Sequence, residues 1–174
     1  MLMGRASEVE LDHNATSGIV ADPGAVPQLR IRRMMLDAAD HRRLAEFYRR
    51  LLGAQYESGS EPGQEDEPRF LDLIDPATGA RLGFQVSENY RPPDWPDHHR
   101  VPTQGHLDLT VLTGELDRAI DFAVSLGARV LSTEERDDGM VVLADPAGHP
   151  FCFLTAGTFG DVSSRGEYEM FRLG

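Results

Sequence analysis

The chain has 174 residues, 40% of them hydrophobic, which is enough for one domain-sized core. Its 17 basic and 29 acidic side chains leave a net charge of −12, which repels phosphate backbones and argues against nucleic-acid binding. No apolar run approaches the roughly 20 residues a bilayer requires, and a single cysteine, Cys152, excludes an internal disulfide and a thiolate zinc cluster.

Residues 1–27 read as a flexible leader, with Gly, Pro, Asn and Asp scattered and no hydrophobic period. They lack the apolar core of a secretory signal, so a reducing, cytoplasmic location is expected. Residues 29–37 alternate as a strand, with Ile31, Arg33, Met35 and Asp37 on one face and Arg32, Met34 and Leu36 on the other. Asp40 is a natural N-cap for a helix over 41–52, whose apolar stripe is Leu44, Phe47, Tyr48, Leu51 and Leu52. Gly53 stops it. A short strand at 54–58 and an acid-rich loop lead to a hairpin of 69–74 and 81–86, turned by Asp75-Pro76-Ala77-Thr78-Gly79. Residues 28–88 thus form one module.

Prolines at 92, 93, 96 and 102 make 89–103 an extended connector. Its Tyr90 and Trp95 are suited to cover a cleft or to staple the crossing. The stretch Gln104-Gly105-His106-Leu107-Asp108-Leu109-Thr110-Val111 then alternates strictly. His106, Asp108 and Thr110 share one face; Leu107, Leu109 and Val111 share the other. Thr113 is placed to cap a helix over 114–126, with a stripe of Leu116, Ala119, Ile120, Ala123, Val124 and Leu126 and a stop at Gly127. Strands at 128–132, 140–144 and 150–155 follow, the last two joined by Asp145-Pro146-Ala147-Gly148. This second module spans 104–155. The tail, 156–174, carries Phe159, Tyr168, Met170 and Phe171, suited to drape over the domain or to pack on a second subunit.

The order of elements is read twice. Leu52-Gly53-Ala54 answers Leu126-Gly127-Ala128, and Leu73-Ile74-Asp75-Pro76-Ala77 answers Leu143-Ala144-Asp145-Pro146-Ala147. One strand-helix-strand-strand-strand unit cannot bury its own sheet. The expected fold is therefore α+β: two βαβββ modules forming an eight-stranded incomplete barrel, with helices outside and a cleft within.

The repeat, the strand around Gly105-His106-Leu107-Asp108-Leu109 and the ending Asp145-Pro146-Ala147-Gly148-His149-Pro150-Phe151-Cys152 resemble the vicinal oxygen chelate superfamily. More narrowly they resemble its glyoxalase-like branch (glyoxalase, bleomycin resistance and dioxygenase type), as does Tyr90-Arg91-Pro92-Pro93-Asp94-Trp95-Pro96. The resemblance implies a small-molecule ligand and a homodimer. In metal-using members it also implies four inward ligands to a divalent ion, one on the first and one on the last strand of each module. Carried over, these fall on His106, on Cys152 where Glu is usual, on Arg33, and on Gly83 or Gln85. A guanidinium does not ligate a cation. His106 and Gln85 remain the metal candidates, and Arg33 points instead to an anionic ligand group.

His106 and Asp108 are the candidate catalytic pair, since an imidazole can ligate a metal, move a proton near neutrality or simply hydrogen-bond in a pocket. Asp108 is placed to orient His106 or a substrate group, though the two-residue spacing, about 6.5–7 Å along a strand, does not make a direct bond sure. Asp108 is equally suited to pair with Arg33. Arg33, Gln85, Trp95, Thr110 and Cys152 are the candidate substrate contacts. His98, His99 and His149 read as solvent-exposed loop histidines. Three readings stand at this point: a binder or metal-independent enzyme with a degenerate metal site, a metal-dependent lyase, isomerase or dioxygenase, and an antibiotic-sequestering protein.

Overall fold

The computed structural model describes residues 30–63, 68–97 and 99–156. The expected leader, His98 and the tail beyond Ala156 lie outside the described residues. The compact unit carrying both modules begins at Arg32.

The first module runs β1 (Met34–Ala38), α1 (His41–Leu52), β2 (Gln55–Tyr56), β3 (Phe70–Ile74) and β4 (Arg81–Val86). The second repeats it as β5 (Leu107–Val111), α2 (Leu116–Leu126), β6 (Arg129–Ser132), β7 (Met140–Ala144) and β8 (Pro150–Thr155). The α1 boundaries follow from local chemistry. The Asp40 carboxylate accepts from the Arg43 N–H, and Gly53 closes the helix at φ 65°, a conformation that costs a Cβ-free residue little.

Several boundaries differ from expectation: β2 is only Gln55–Tyr56, β3 and β6 start one residue late, and β1 and α2 start later still. β1 begins at Met34, which opens the parallel ladder with β4 opposite Leu82, rather than at residue 29. α2 begins at Leu116 behind Glu115, which makes no side-chain cap bond. The Thr113 hydroxyl, expected to cap it, donates instead to the Ala156 carbonyl at 3.3 Å.

Each module folds into a four-stranded sheet, ordered β1-β4-β3-β2 and β5-β8-β7-β6, with parallel β1–β4 and β5–β8 pairs and otherwise antiparallel neighbours. The sheets do not close into one barrel, so the incomplete barrel expected from the repeat is what forms. Strand alternation sends Leu71, Leu73 and Phe84 in the first sheet, and Val141, Leu143, Phe151 and Phe153 in the second, into one buried core. Helix α1 joins them: Tyr48 lies 5.8 Å from Phe84 and 6.4 Å from Phe151, and Phe47 lies 6.0 Å from Phe151, centroid to centroid. Burying each such ring contributes about 1.5–3 kcal/mol. Both sheets thus turn one face toward α1, and their other faces carry the polar residues of interest. Among the described residues no helix is long and apolar enough to cross a membrane.

Candidate functional site

The site is built on the face of β5 and β8 turned away from α1. Asp108 sits opposite Cys152 in the parallel ladder. Alternation from the buried Phe151 and Phe153 places the Cys152 thiol on the same side as Asp108. His106 precedes β5, and its Nε2 lies 3.3 Å from Asp108 Oδ1. Strand spacing alone does not secure this contact. The side chains close the gap, because the imidazole Nε2 is at the far end of a rotatable arm.

One atom each of His106, Asp108 and Cys152 lie mutually within 4.8 Å, an imidazole, a carboxylate and a thiol in ligating distance of a single ion. The His106 and Asp108 side chains are 49% and 56% exposed, whereas Cys152 is 7% exposed. Burial pushes the Cys152 thiol up to about 11, and the Asp108 carboxylate adds to this both by its charge and by accepting the thiol hydrogen. Glu135 contributes further negative charge. Near neutrality Cys152 is a protonated, poorly nucleophilic thiol. Thr110, exposed on the same strand, extends this face.

The first module has the same frame with different contents. In β3–β4 the ladder pairs Leu73 with Leu82, and in β7–β8 it pairs Leu143 with Phe151. Since Leu73 answers Leu143, Gly83 answers Cys152. Met35, opposite Gly83, then answers Asp108, and Arg33 answers His106. This resolves the choice between Gly83 and Gln85. Gln85 lies one step along, opposite Asp37 and Phe70, in the other sheet from His106.

At these counterpart positions Arg33 pairs with Asp72 of β3, the residue opposite Gly83. It does not pair with Asp108. A methyl group on Gly83 would run into Met35 Sδ and come within 3.0 Å of Arg33 Cδ, so these two side chains fill the space a larger residue would take. The four-ligand metal set implied by the resemblance does not fit this chain, because its two first-module positions hold a guanidinium and a glycine. The three second-module donors form a smaller set, whose thiol would have to lose its proton to ligate.

His149, expected in solvent, is 14% exposed, and its Nδ1 lies 2.9 Å from Asp145 Oδ2. Asp145 is buried. It accepts from the Tyr48 hydroxyl (3.1 Å) and from the backbone N–H groups of Ala147 (2.9 Å) and His149 (3.0 Å). Burial, then Asp145, holds the Tyr48 phenol well above its ordinary range, so it stays a donor. The Tyr90 ring packs against His149, tilted by 39° with centroids 5.0 Å apart, and Pro92 lies where a Gly148 side chain would be. Tyr90 is therefore a staple of the connector. Trp95 is half-buried and precedes a cis Pro96, and His99 is exposed. The sequence signal for this junction is an aspartate with a histidine four residues on, across a Pro-Ala-Gly turn.

The glyoxalase-like domain family model matches residues 33–154. Among solved structures, the fosfomycin resistance protein FosX from Mesorhizobium loti is similar at TM-score 0.55 and 14% identity, covering 82% of this chain and 99% of its own. A variant of FosX from Listeria monocytogenes, complexed with Mn(II) and 1S,2S-dihydroxypropylphosphonic acid, gives 0.56 and 13%, covering 78% and 96%. A glyoxalase/bleomycin resistance protein/dioxygenase family enzyme from Burkholderia phytofirmans gives 0.51 and 18%, covering 71% and 95%. These likenesses speak for the fold. A search of curated proteins finds no match. With the repeat, the register and the family match in agreement, the chain belongs to the glyoxalase-like domain family, within the vicinal oxygen chelate superfamily.

Proposed function

We propose that this protein binds a small polar organic molecule on the open face of its second sheet, at His106 and Asp108, and that its two-module metal site is degenerate. The observation that carries this reading is the asymmetry of the counterpart positions. His106 and Asp108 are half-exposed beside Cys152, while Arg33 is committed to Asp72. Arg33 was the reason to expect an anionic ligand. Asp72 offsets its charge, and Asp108 and Glu135 make the second face acidic, so the proposed ligand carries no required negative charge. In this reading His106 hydrogen-bonds the ligand or moves its proton, Asp108 orients the imidazole, and Thr110 lines the site.

A second reading, a metal-dependent lyase, isomerase or dioxygenase, is favoured by the three donors lying within 4.8 Å. Metal analysis of protein purified without chelator separates the two. A stoichiometric divalent ion that His106→Ala loses would establish the second reading. A compound whose stabilising melting shift survives chelator and disappears in His106→Ala would establish the first.

The exposure of both faces, His106 and Asp108 on one and Phe70 (51%) on the other, supports a homodimer in which a second copy covers them. Sedimentation at working concentration tests this, and a monomer would reject it. The single buried, unpaired cysteine is consistent with a reducing cytoplasm.

A further inference from the structure

The open face of the second sheet carries a charge that its neighbours leave uncompensated. Asp108 stands opposite Cys152 in the β5–β8 ladder, and its carboxylate accepts the thiol hydrogen. Glu135, on the loop between β6 and β7, is close enough for its charge to act on the same thiol. Two arginines suited to answer these acids are turned elsewhere. Arg136, next to Glu135 in the chain, pairs with Asp117 of α2, and Arg33 pairs with Asp72 of the other sheet. A face of this kind draws cations, and the net charge of −12 on the whole chain adds to the attraction.

The donors and acceptors narrow the kind of cation. One nitrogen of His106, one oxygen of Asp108 and the sulfur of Cys152 lie within 4.8 Å of one another. An ammonium nitrogen about 2.9 Å from each of three acceptors, at tetrahedral angles, holds them about 4.7 Å apart. The His106–Asp108 pair is closer, at 3.3 Å, and rotation of these two half-exposed side chains widens it. A quaternary ammonium has no N–H to donate and needs an aromatic wall instead. Phe151 and Phe153, the rings of β8, are buried in the core on the opposite side of the strand.

We propose that the ligand of this face is a small molecule bearing a primary ammonium group, which pairs with the Asp108 carboxylate and donates its remaining hydrogens to His106 Nε2 and Cys152 Sγ. This inference rests on the reading of the His106–Asp108 face as the binding site.

The test compares four probes of one chain length on the full protein in the presence of chelator: n-butylamine, n-butanol, butyrate and butyltrimethylammonium. The readout is the backbone amide NMR spectrum. Butylamine should shift the amides of β5 and β8 saturably, and butyltrimethylammonium should bind about tenfold more weakly. Asp108→Asn should weaken butylamine about tenfold as well. Asp108 is half-exposed, so this variant should keep the wild-type amide positions of β7. Butanol or butyrate shifting the β5 and β8 amides as strongly as butylamine would overturn the ammonium preference and leave the face as a binding site. Butylamine shifts scattered over the acidic surface and unchanged in Asp108→Asn would also overturn the proposal. No response of β5 and β8 to any of the four would overturn the inference together with the reading beneath it.

Discussion

The two modules share a frame and differ in what they hold in it. At equivalent places on the face away from α1, the first carries Arg33, Met35 and Gly83, and the second carries His106, Asp108 and Cys152. The first set is closed upon itself, with Arg33 paired to Asp72 and Met35 lying over Gly83. The second is open, with a thiol and two half-exposed polar groups. The lesson is that duplication conserves the backbone device, a parallel edge pair with one face free, while each copy spends that face differently. One copy locks that face with an ion pair, and the other leaves its polar groups half-exposed.

The largest effect should come from the turn that the two halves share. Asp75 and Asp145 occupy the same place. Asp145 is buried under Tyr48 and His149, whereas Asp75 is only partly buried and holds its local turn through Ala77 and Thr78. Asp145→Ala leaves buried donors unpaired and should cost about 3–5 kcal/mol in urea denaturation. Asp75→Ala should cost about 1 kcal/mol. Equal losses would mean that the junction with α1 carries no particular weight.

Next come the two counterpart residues themselves. Arg33→Ala strands Asp72, whose side chain is 18% exposed, and should cost about 2 kcal/mol. His106→Ala removes a half-exposed group and should change stability by less than about 0.5 kcal/mol. The same pair of denaturation curves would reverse this assignment if His106 proved the more costly to lose.

A smaller effect concerns Cys152. The folded thiol keeps its proton to about pH 11, while the unfolded thiol releases it near 9.0. Between these values the unfolded chain binds fewer protons, so stability should fall as pH rises through that window. Asp108→Asn removes part of the cause and should speed alkylation of Cys152 at pH 8 by several-fold. An unchanged rate would show that burial alone protects the thiol.

Much of this was legible in the sequence because it is local. Asp40 and Gly53 bracket α1, and Asp75-Pro76 and Asp145-Pro146 mark the hairpins, so α1, β4, β7 and β8 fall where periodicity places them. The start of α2 was not legible, since Thr113 satisfies the carbonyl of Ala156, 43 residues away, in place of its own helix. Nor was the Tyr48–Asp145 bond, which spans 97 residues and depends on how α1 lies across both sheets. At the site, alternation along β5 revealed that His106 and Asp108 share a face. That Gly83, and not Gln85, answers Cys152 needed the ladder register, because the first hairpin turn is one residue longer.

In the proposed function one module alone gathers the site. Titrating wild type, His106→Ala and Gln85→Ala with Zn(II) and Mn(II) by calorimetry tests it most directly. The account predicts that Gln85→Ala behaves as wild type, and that any binding present in wild type is lost in His106→Ala. A loss in Gln85→Ala as complete as that in His106→Ala would contradict it, since it would require donors from both modules around one ion.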